Sequence, residues 1–199
     1  MNKGLSIIVV ALLLALIFLN WGTLSFWGKR FLLPFQSKNS GIANLGSSSK
    51  GCLIKTEEMT VRGDSLAPFI KSGQTVQALF GYYNCHKIKR GDVVLFKYAG
   101  DKNLLIKMVK GIPGDKFELR KTEGGWNIIV NNQIVKNAEG KPYLIFGNAY
   151  KMLSLYERDY KGIIPENAYL LLGNKVSGSV DSTTFGLVDK SGIRAKVKI

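Results

Sequence analysis

Histidine is almost absent from this chain, and the absence limits the chemistry that its side chains can perform. The 199 residues include one histidine, His86, in a polar stretch, and two well-separated cysteines. These residues do not make a metal-ligand set, so we expect no metal and no other cofactor. With a single histidine in the chain, we expect a serine nucleophile to take its proton acceptor from a lysine.

Acidic residues are also scarce, because 28 lysines and arginines stand against 14 aspartates and glutamates, a formal net charge of +14. Such an excess is typical of nucleic-acid-binding proteins, but here the basic residues are scattered from Lys29 to Lys198 and no recognised nucleic-acid motif accompanies them. We therefore expect no nucleic-acid partner. A solvated surface facing the anionic headgroups of a lipid bilayer explains the excess more simply.

One serine and one lysine stand in settings that suit a catalytic pair. Ser65 lies in Val61-Arg62-Gly63-Asp64-Ser65-Leu66-Ala67-Pro68, and Lys107 interrupts the apolar run Leu104-Leu105-Ile106-Lys107-Met108-Val109. A lysine must be neutral to accept a proton, and apolar surroundings lower its pKa from about 10.4. Each segment also has an ordinary interpretation, as a turn and as a strand whose lysine extends to water. The hypothesis depends on the combination.

Further segments complete a pattern that runs from about Thr60 to the C-terminus. Gly91-Asp92-Val93-Val94-Leu95-Phe96 precedes the lysine, Gly111-Ile112-Pro113-Gly114-Asp115 follows it, and residues 164–174 lead into Ser179-Val180-Asp181-Ser182-Thr183-Thr184-Phe185-Gly186. In this order and at these spacings the chain resembles the type I signal peptidases, membrane-bound serine proteases with a Ser/Lys dyad. The resemblance implies hydrolysis of peptide bonds, with signal-peptide-bearing preproteins as partners.

The resemblance also implies a role for each residue whose position matches. Ser65 falls at the nucleophile and Lys107 at the general base. Ser179 falls at the serine whose hydroxyl orients that lysine, and Asp181 at the aspartate that braces the same loop. Gly63 matches the form of the family with a glycine two residues before the nucleophile, so backbone amides from Gly63 to Ser65 are the candidate oxyanion donors.

Three places depart from the family's pattern. The residue after the nucleophile, usually methionine, is Leu66, which has a similar volume. The usual Gly-Asp-Asn is Gly173-Asn174-Lys175, and the arginine usual after Asp-Ser is Thr183. Asp181 thus lacks its expected ion-pair partner, which affects the geometry of this loop more than the chemistry.

Two segments beside the dyad are predicted to be extended, Glu58-Met59-Thr60-Val61 and Leu104-Leu105-Ile106. An open edge between them would accept an extended peptide as an added strand. Apolar side chains would then line shallow pockets that, by resemblance, admit small residues such as alanine before the cut: Val61, Leu66, Ile70, Leu105 and Ile106. The alternative is that these five are ordinary core residues.

Residues 5–27 are almost entirely apolar. At about 1.5 Å per residue they are long enough to cross a hydrocarbon core of roughly 30 Å. A cleavable secretory signal is the alternative, but bulky and basic residues follow the apolar run where small residues should precede a cut. We therefore predict a single transmembrane anchor over residues 1–28.

Charge does not settle the orientation of this anchor, because Lys3 and the amino terminus on one side face Lys29 and Arg30 on the other, a distribution that leans weakly against the exported arrangement. The resemblance implies a single-pass protein of the cell membrane, with the N-terminus inside and the catalytic domain on the extracytoplasmic face.

After the anchor, residues 29–52 are expected to form a juxtamembrane tether, since their second half is rich in Ser, Gly and Asn. Residues 53–199 then suffice for one signal peptidase-like catalytic domain, in which residues 116–162 form a small inserted β/α cap. Alternating apolar stretches predict a mainly β fold, with strands at 93–96, 126–130 and 169–172. Asn131-Asn132 is typical of a hairpin turn, and residues 149–160 are predicted to form a helix.

Cys52 and Cys85 flank the nucleophile segment. In an exported domain an even pair favours a disulfide, and closing a loop of roughly 30 residues would stabilise the fold by about 3 to 4 kcal/mol. Two buried free thiols are the alternative.

The sequence thus predicts a membrane-anchored serine endopeptidase that removes N-terminal signal peptides from exported preproteins, cutting after small residues in an Ala-x-Ala pattern. One alternative is a specialised peptidase of the same family that matures a pilin or a secretion component. The other is an inactive anchored β module that only binds extended peptides.

Overall fold

The computed structural model describes residues 52–98, 103–176 and 178–199. The predicted anchor and all of the tether except Cys52 lie outside these ranges. No helix in the described part of the chain is long and apolar enough to span a membrane.

The described residues are mainly β, as the sequence predicted. Eleven strands and two α-helices follow one another along the chain: β1 Lys55–Thr60, β2 Thr75–Phe80, β3 Val93–Lys97, β4 Leu104–Gly111, β5 Phe117–Thr122, β6 Gly125–Val130, β7 Gln133–Ile134, β8 Leu144–Ile145, α1 Gly147–Asp159, β9 Ala168–Leu172, α2 Ser182–Phe185, β10 Val188–Asp189 and β11 Ile193–Lys198. Short 3₁₀ turns occupy Tyr82–Asn84 and Lys190–Gly192.

Seven of the strands form the larger sheet, in the spatial order β1-β2-β11-β3-β4-β9-β10, and every neighbouring pair is antiparallel. Strands β3 and β9 are nearly continuous apolar runs, which is typical of strands with both faces covered, whereas β11 alternates buried and more exposed residues. In β9, Leu170 and Leu172 pack into one core cluster while Tyr169 and Leu171 pack into another. Both faces of β9 are therefore packed against apolar side chains.

The smaller sheet contains β5, β6, β7 and β8. Strand β5 pairs along one edge of β6, while β7 and β8 pair with the opposite edge, and α1 packs beside the sheet. All of these elements fall within residues 116–162. The hairpin turn between β6 and β7 is confirmed at Asn131 and Asn132, whose φ angles of 49° and 64° are the left-handed values that a two-residue hairpin requires. The predicted helix is also confirmed, with bounds two residues earlier at its start and one at its end.

Strand β4 is paired unequally on its two sides. Residues 104–108 pair with β3, but pairing with β9 begins only at Met108. Strand β1 pairs with β2 alone among the described strands. Strand β1 thus keeps one unpaired edge and β4 keeps one over residues 104–107, and a cleft of about 760 Å³ is lined by residues from both strands.

Candidate active site

Ser65 lies in the loop that joins β1 to β2, and buried neighbours fix this loop. Leu66 and Ile70 are 1% and 0% exposed, and the Ile70 N–H donates to the Leu66 carbonyl at 2.9 Å. Gly63 has a φ of +83°, a value that glycine adopts without steric cost. The loop is therefore anchored in the core on one side, while Ser65 itself stays half-buried and accessible.

Lys107 lies on β4 and is 2% exposed. Its Nζ is 3.0 Å from Ser65 Oγ and 3.0 Å from the carbonyl oxygen of Ile106. Ser65 Oγ is in turn 3.4 Å from the same carbonyl oxygen. The fold thus brings together the two residues that the sequence singled out for catalysis.

Burial lowers the pKa of Lys107, because an ammonium ion in an apolar setting lacks the water that stabilises its charge. The carboxylate of Asp181 acts in the opposite direction and raises this pKa, as a nearby negative charge must. Desolvation is the larger of the two effects. The net effect lowers the pKa of Lys107 below the usual value for lysine, which is the direction that a proton-accepting amine needs.

Asp181 is 2% exposed and holds the loop that follows β9. One carboxylate oxygen accepts the Gly173 N–H at 2.8 Å. The other accepts the Thr183 N–H at 3.0 Å and the Thr183 hydroxyl at 2.7 Å. The carboxylate caps the N-terminus of α2, and Thr183, which stands where the resemblance expects an arginine, supplies two of its hydrogen-bond donors.

Ser179 lies beside Gly173, close enough that a methyl group at Gly173 would clash with its side chain and with the Ser65 carbonyl. Its Oγ is buried and has no hydrogen-bond partner among the described residues. The expected hydrogen bond to Lys107 is therefore not formed in this structure. The orienting role of Ser179 stays a prediction.

The cleft between β1 and β4 is lined by three of the five residues expected in substrate pockets, Val61, Leu105 and Ile106. The other two do not reach its surface. Leu66 and Ile70 lie in the core cluster that also contains Val61 and Ile106, where they anchor the nucleophile loop. In the structure, these two residues are therefore core residues and do not line the cleft.

The backbone amides around the nucleophile are available as hydrogen-bond donors. Among the described residues, the N–H groups of Gly63 and Ser65 donate to no backbone carbonyl, while the N–H of Asp64 interacts with its own carboxylate. An amide without a protein partner beside a nucleophile is suited to binding a developing negative charge.

Sequence reasoning missed two residues of this region, Tyr143 and Asn174. The Tyr143 hydroxyl donates to the Gly173 carbonyl at 2.5 Å, and burial raises the pKa of this tyrosine. Asn174 is 1% exposed and bonds to the nucleophile loop through both its backbone and its side chain. The sequence showed Asn174 only as a departure from the family's Gly-Asp-Asn, and it gave no sign of these contacts.

Cys52 and Cys85 are joined by a disulfide, with their Cα atoms 5.9 Å apart. The bond ties the segment before β1 to the 3₁₀ turn after β2. In the part of the chain that the structure describes, no group of three or more His, Cys, Asp or Glu side chains could hold a metal ion.

Residues 50–199 match the family described as "Signal peptidase, peptidase S26". Signal peptidase IB of Staphylococcus aureus (strain COL) is 29% identical over 149 residues, which cover 69% of this chain and 73% of that protein. Signal peptidase I of Bacillus caldolyticus is 29% identical over 140 residues, 69% of this chain and 74% of that protein. A crystal structure of a signal peptidase I from Enterococcus faecalis V583 covers 57% of this chain and 98% of its own, at 18% identity and a TM-score of 0.42.

Proposed function

This chain belongs to the signal peptidase family, peptidase S26, and we propose that it removes N-terminal signal peptides from exported preproteins with Ser65 as nucleophile and Lys107 as general base. Family membership makes it a serine endopeptidase. The observation that carries the assignment of the dyad is the 3.0 Å separation between Ser65 Oγ and the buried Lys107 Nζ.

The neutral amine of Lys107 accepts the proton of Ser65 as Oγ attacks the carbonyl carbon of the scissile peptide bond. The protonated lysine then gives this proton to the departing amine, and an acyl-enzyme remains. Lys107 next accepts a proton from water, which attacks the ester and releases the carboxylate product. The proton finally returns to Ser65, so both residues end in their starting states.

Negative charge develops on the carbonyl oxygen during both attacks. The backbone amides from Gly63 to Ser65 are the proposed donors, and one such donor is worth about 3 to 4 kcal/mol in other serine proteases. Because Gly63 has no side chain, the substrate backbone can approach these amides closely.

We propose that the substrate binds as an extended strand between the unpaired edges of β1 and β4. Leu105 and Ile106 on one side and Val61 on the other then border the residues that precede the cut. By resemblance to the family, these apolar walls admit small side chains, so we propose cleavage after an Ala-x-Ala sequence.

The location that we propose is the outer face of the cell membrane, with residues 1–28 as a single anchor whose N-terminus lies inside. The disulfide between Cys52 and Cys85 supports this placement, because such bonds form and persist in oxidising compartments.

The full chain in detergent, incubated with a peptide carrying an Ala-x-Ala signal sequence, tests the proposal, with the cut mapped by mass spectrometry. We expect one cut after the second alanine. Ser65→Ala and Lys107→Ala should each abolish it, and the double variant should be no worse, because the two residues act as a unit.

Lys110→Ala is the matched control for this experiment. Lys110 lies on the same strand, burial also lowers its pKa, and its Nζ bonds to the carbonyl of Lys136 rather than to the nucleophile. It should keep its activity. Equal losses in both lysine variants, or independent and additive losses from Ser65 and Lys107, would contradict the dyad.

A further inference from the structure

We infer that Asn174 is a positioning residue for the nucleophile, because its buried side-chain amide joins the loop that carries Ser65 to the inserted cap. The inference rests on the proposed function, in which Ser65 must stay within hydrogen-bond distance of Lys107. Asn174 itself is not in contact with the reacting atoms.

Asn174 bonds to the nucleophile loop at two places. Its backbone N–H donates to the Ser65 carbonyl at 2.6 Å. Its Nδ2 donates to the Ala67 carbonyl at 2.9 Å, across 107 positions of the chain. The two carbonyls lie on the peptide bonds that follow Ser65 and Ala67, so the backbone that carries the nucleophile is held on both sides of Leu66.

The remaining groups of Asn174 bond to the cap. Its Oδ1 accepts the Ala138 N–H at 2.7 Å, and its backbone carbonyl accepts Nδ2 of Asn137 at 3.0 Å. Ala138 and Asn137 lie between β7 and β8. One buried residue at the end of β9 therefore ties together the nucleophile loop, the larger sheet and the cap.

In this chain, where Thr183 stands in place of the family's arginine, the partners of residue 174 require an amide, although aspartate is the family's usual residue at this position. The Ala67 carbonyl can only accept, so a donor must face it, and the Ala138 N–H can only donate, so an acceptor must face it. The side chain of asparagine supplies one of each in a fixed orientation. An aspartate has the same shape, but when ionised it has no proton to donate, and its oxygen would face the Ala67 carbonyl in a site that excludes water.

Loss of this donor should displace the Ser65 backbone and lengthen the contact between Ser65 Oγ and Lys107 Nζ. Reaction rates depend steeply on such distances, and a displacement of about 1 Å can cost roughly 100-fold. Among the described residues, no hydrogen bond joins Asn174 to the cleft walls on β1 and β4. The effect should therefore fall on kcat and leave KM unchanged.

The test is Asn174→Asp in the full chain in detergent, with kcat and KM measured separately from neutral to alkaline pH on the Ala-x-Ala peptide and normalised to the folded fraction. We expect kcat to fall roughly 10- to 100-fold with an unchanged KM. An ionised carboxylate has no proton to donate, so the loss of kcat should persist across this pH range.

Ile128→Val is the control for a general loss of stability. Ile128 is fully buried in the core cluster shared by the cap and β9, and it makes no hydrogen bond to the nucleophile loop through its side chain. The ratio of the kcat of this variant to that of the wild type should be near one at every pH. An undiminished ratio for Asn174→Asp would overturn the inference, as would a loss confined to KM.

If Asn174→Asp does not fold, Asn174→Ser measured at lower temperature takes its place, since it keeps the backbone N–H bond to Ser65 and removes the amide. We expect the same loss of kcat. A variant with the kcat of the wild type would overturn this inference and leave the proposed function standing. A wild-type chain that does not cut the peptide would overturn the proposed function, and this inference with it.

Discussion

Replacing Asp181 with alanine tests how much of the site depends on one buried carboxylate. The side chain accepts three hydrogen bonds, from the Gly173 N–H, the Thr183 N–H and the Thr183 hydroxyl. Alanine would leave all three donors without this partner. The hydroxyl can rotate toward another acceptor, because Thr183 is only partly buried, but the two backbone donors cannot.

The cost in stability can be worked out from these contacts. A buried donor left without a partner costs about 1 to 3 kcal/mol, which applies to the Gly173 N–H. Losing the side chain that caps a helix costs about 1 kcal/mol, which applies to the Thr183 N–H at the start of α2. The sum is about 2 to 4 kcal/mol, and in a domain of this size it should lower Tm by roughly 5 to 15 °C.

The same substitution should change the pH dependence of activity in a defined direction. Asp181 raises the pKa of Lys107 against the larger effect of burial. Without this carboxylate the pKa of Lys107 falls further, so the neutral base becomes available at lower pH. The rising limb of kcat/KM should therefore move toward lower pH, even though the maximal rate drops.

The assay is kcat/KM against pH for the wild type, Asp181→Ala and Asp181→Asn, together with a melting curve for each. Asp181→Asn removes the charge and keeps one acceptor. The rising limb of its kcat/KM should therefore move as it does for Asp181→Ala, while its Tm should fall less. A limb that stays in place or moves to higher pH would refute the electrostatic reasoning. An unchanged Tm would show that other contacts hold the loop.

Three further predictions concern residues around the site. Burial lowers the pKa of Lys107 from its usual 10.5, so the unfolded state binds the extra proton, and the free energy of unfolding should rise with pH up to that value. Lys107→Met should remove this dependence and melt higher at neutral pH in denaturation experiments; a variant that is less stable would contradict a buried, unfavourable ammonium. Ser179→Ala should lower turnover with little change in Tm, because its hydroxyl has no partner among the described residues; a fully active variant would reject its orienting role. In protein made in an oxidising compartment, alkylation without reductant should label neither Cys52 nor Cys85 by intact mass, and two labelled thiols on folded protein would rule out the disulfide.

The sequence by itself determined the features that depend on short stretches of chain. Alternating apolar residues predicted the strands of a mainly β fold, because side chains in a strand point to opposite faces with a period of two. Asn131-Asn132 predicted the hairpin turn for a local steric reason, since asparagine tolerates positive φ. The order of short motifs was enough to indicate Ser65 and Lys107, whose reactive atoms the structure places 3.0 Å apart.

Only the tertiary structure decided which distant groups meet. The sequence suggested Leu66 and Ile70 as pocket residues, yet in the fold both are buried in the core. Thr183 stood out in the sequence as a missing arginine, and in the fold its hydroxyl and amide bond to Asp181.

Asn174 was recognised in the sequence only as a departure from a motif, while its side chain bonds to Ala67, 107 positions away. A hydrogen-bond partner is set by where two elements pack, and local periodicity contains no information about that packing. The chain's chemistry could thus be inferred from its motifs, but the contacts that hold the chemistry in place depend on how the sheet, the cap and the nucleophile loop come together.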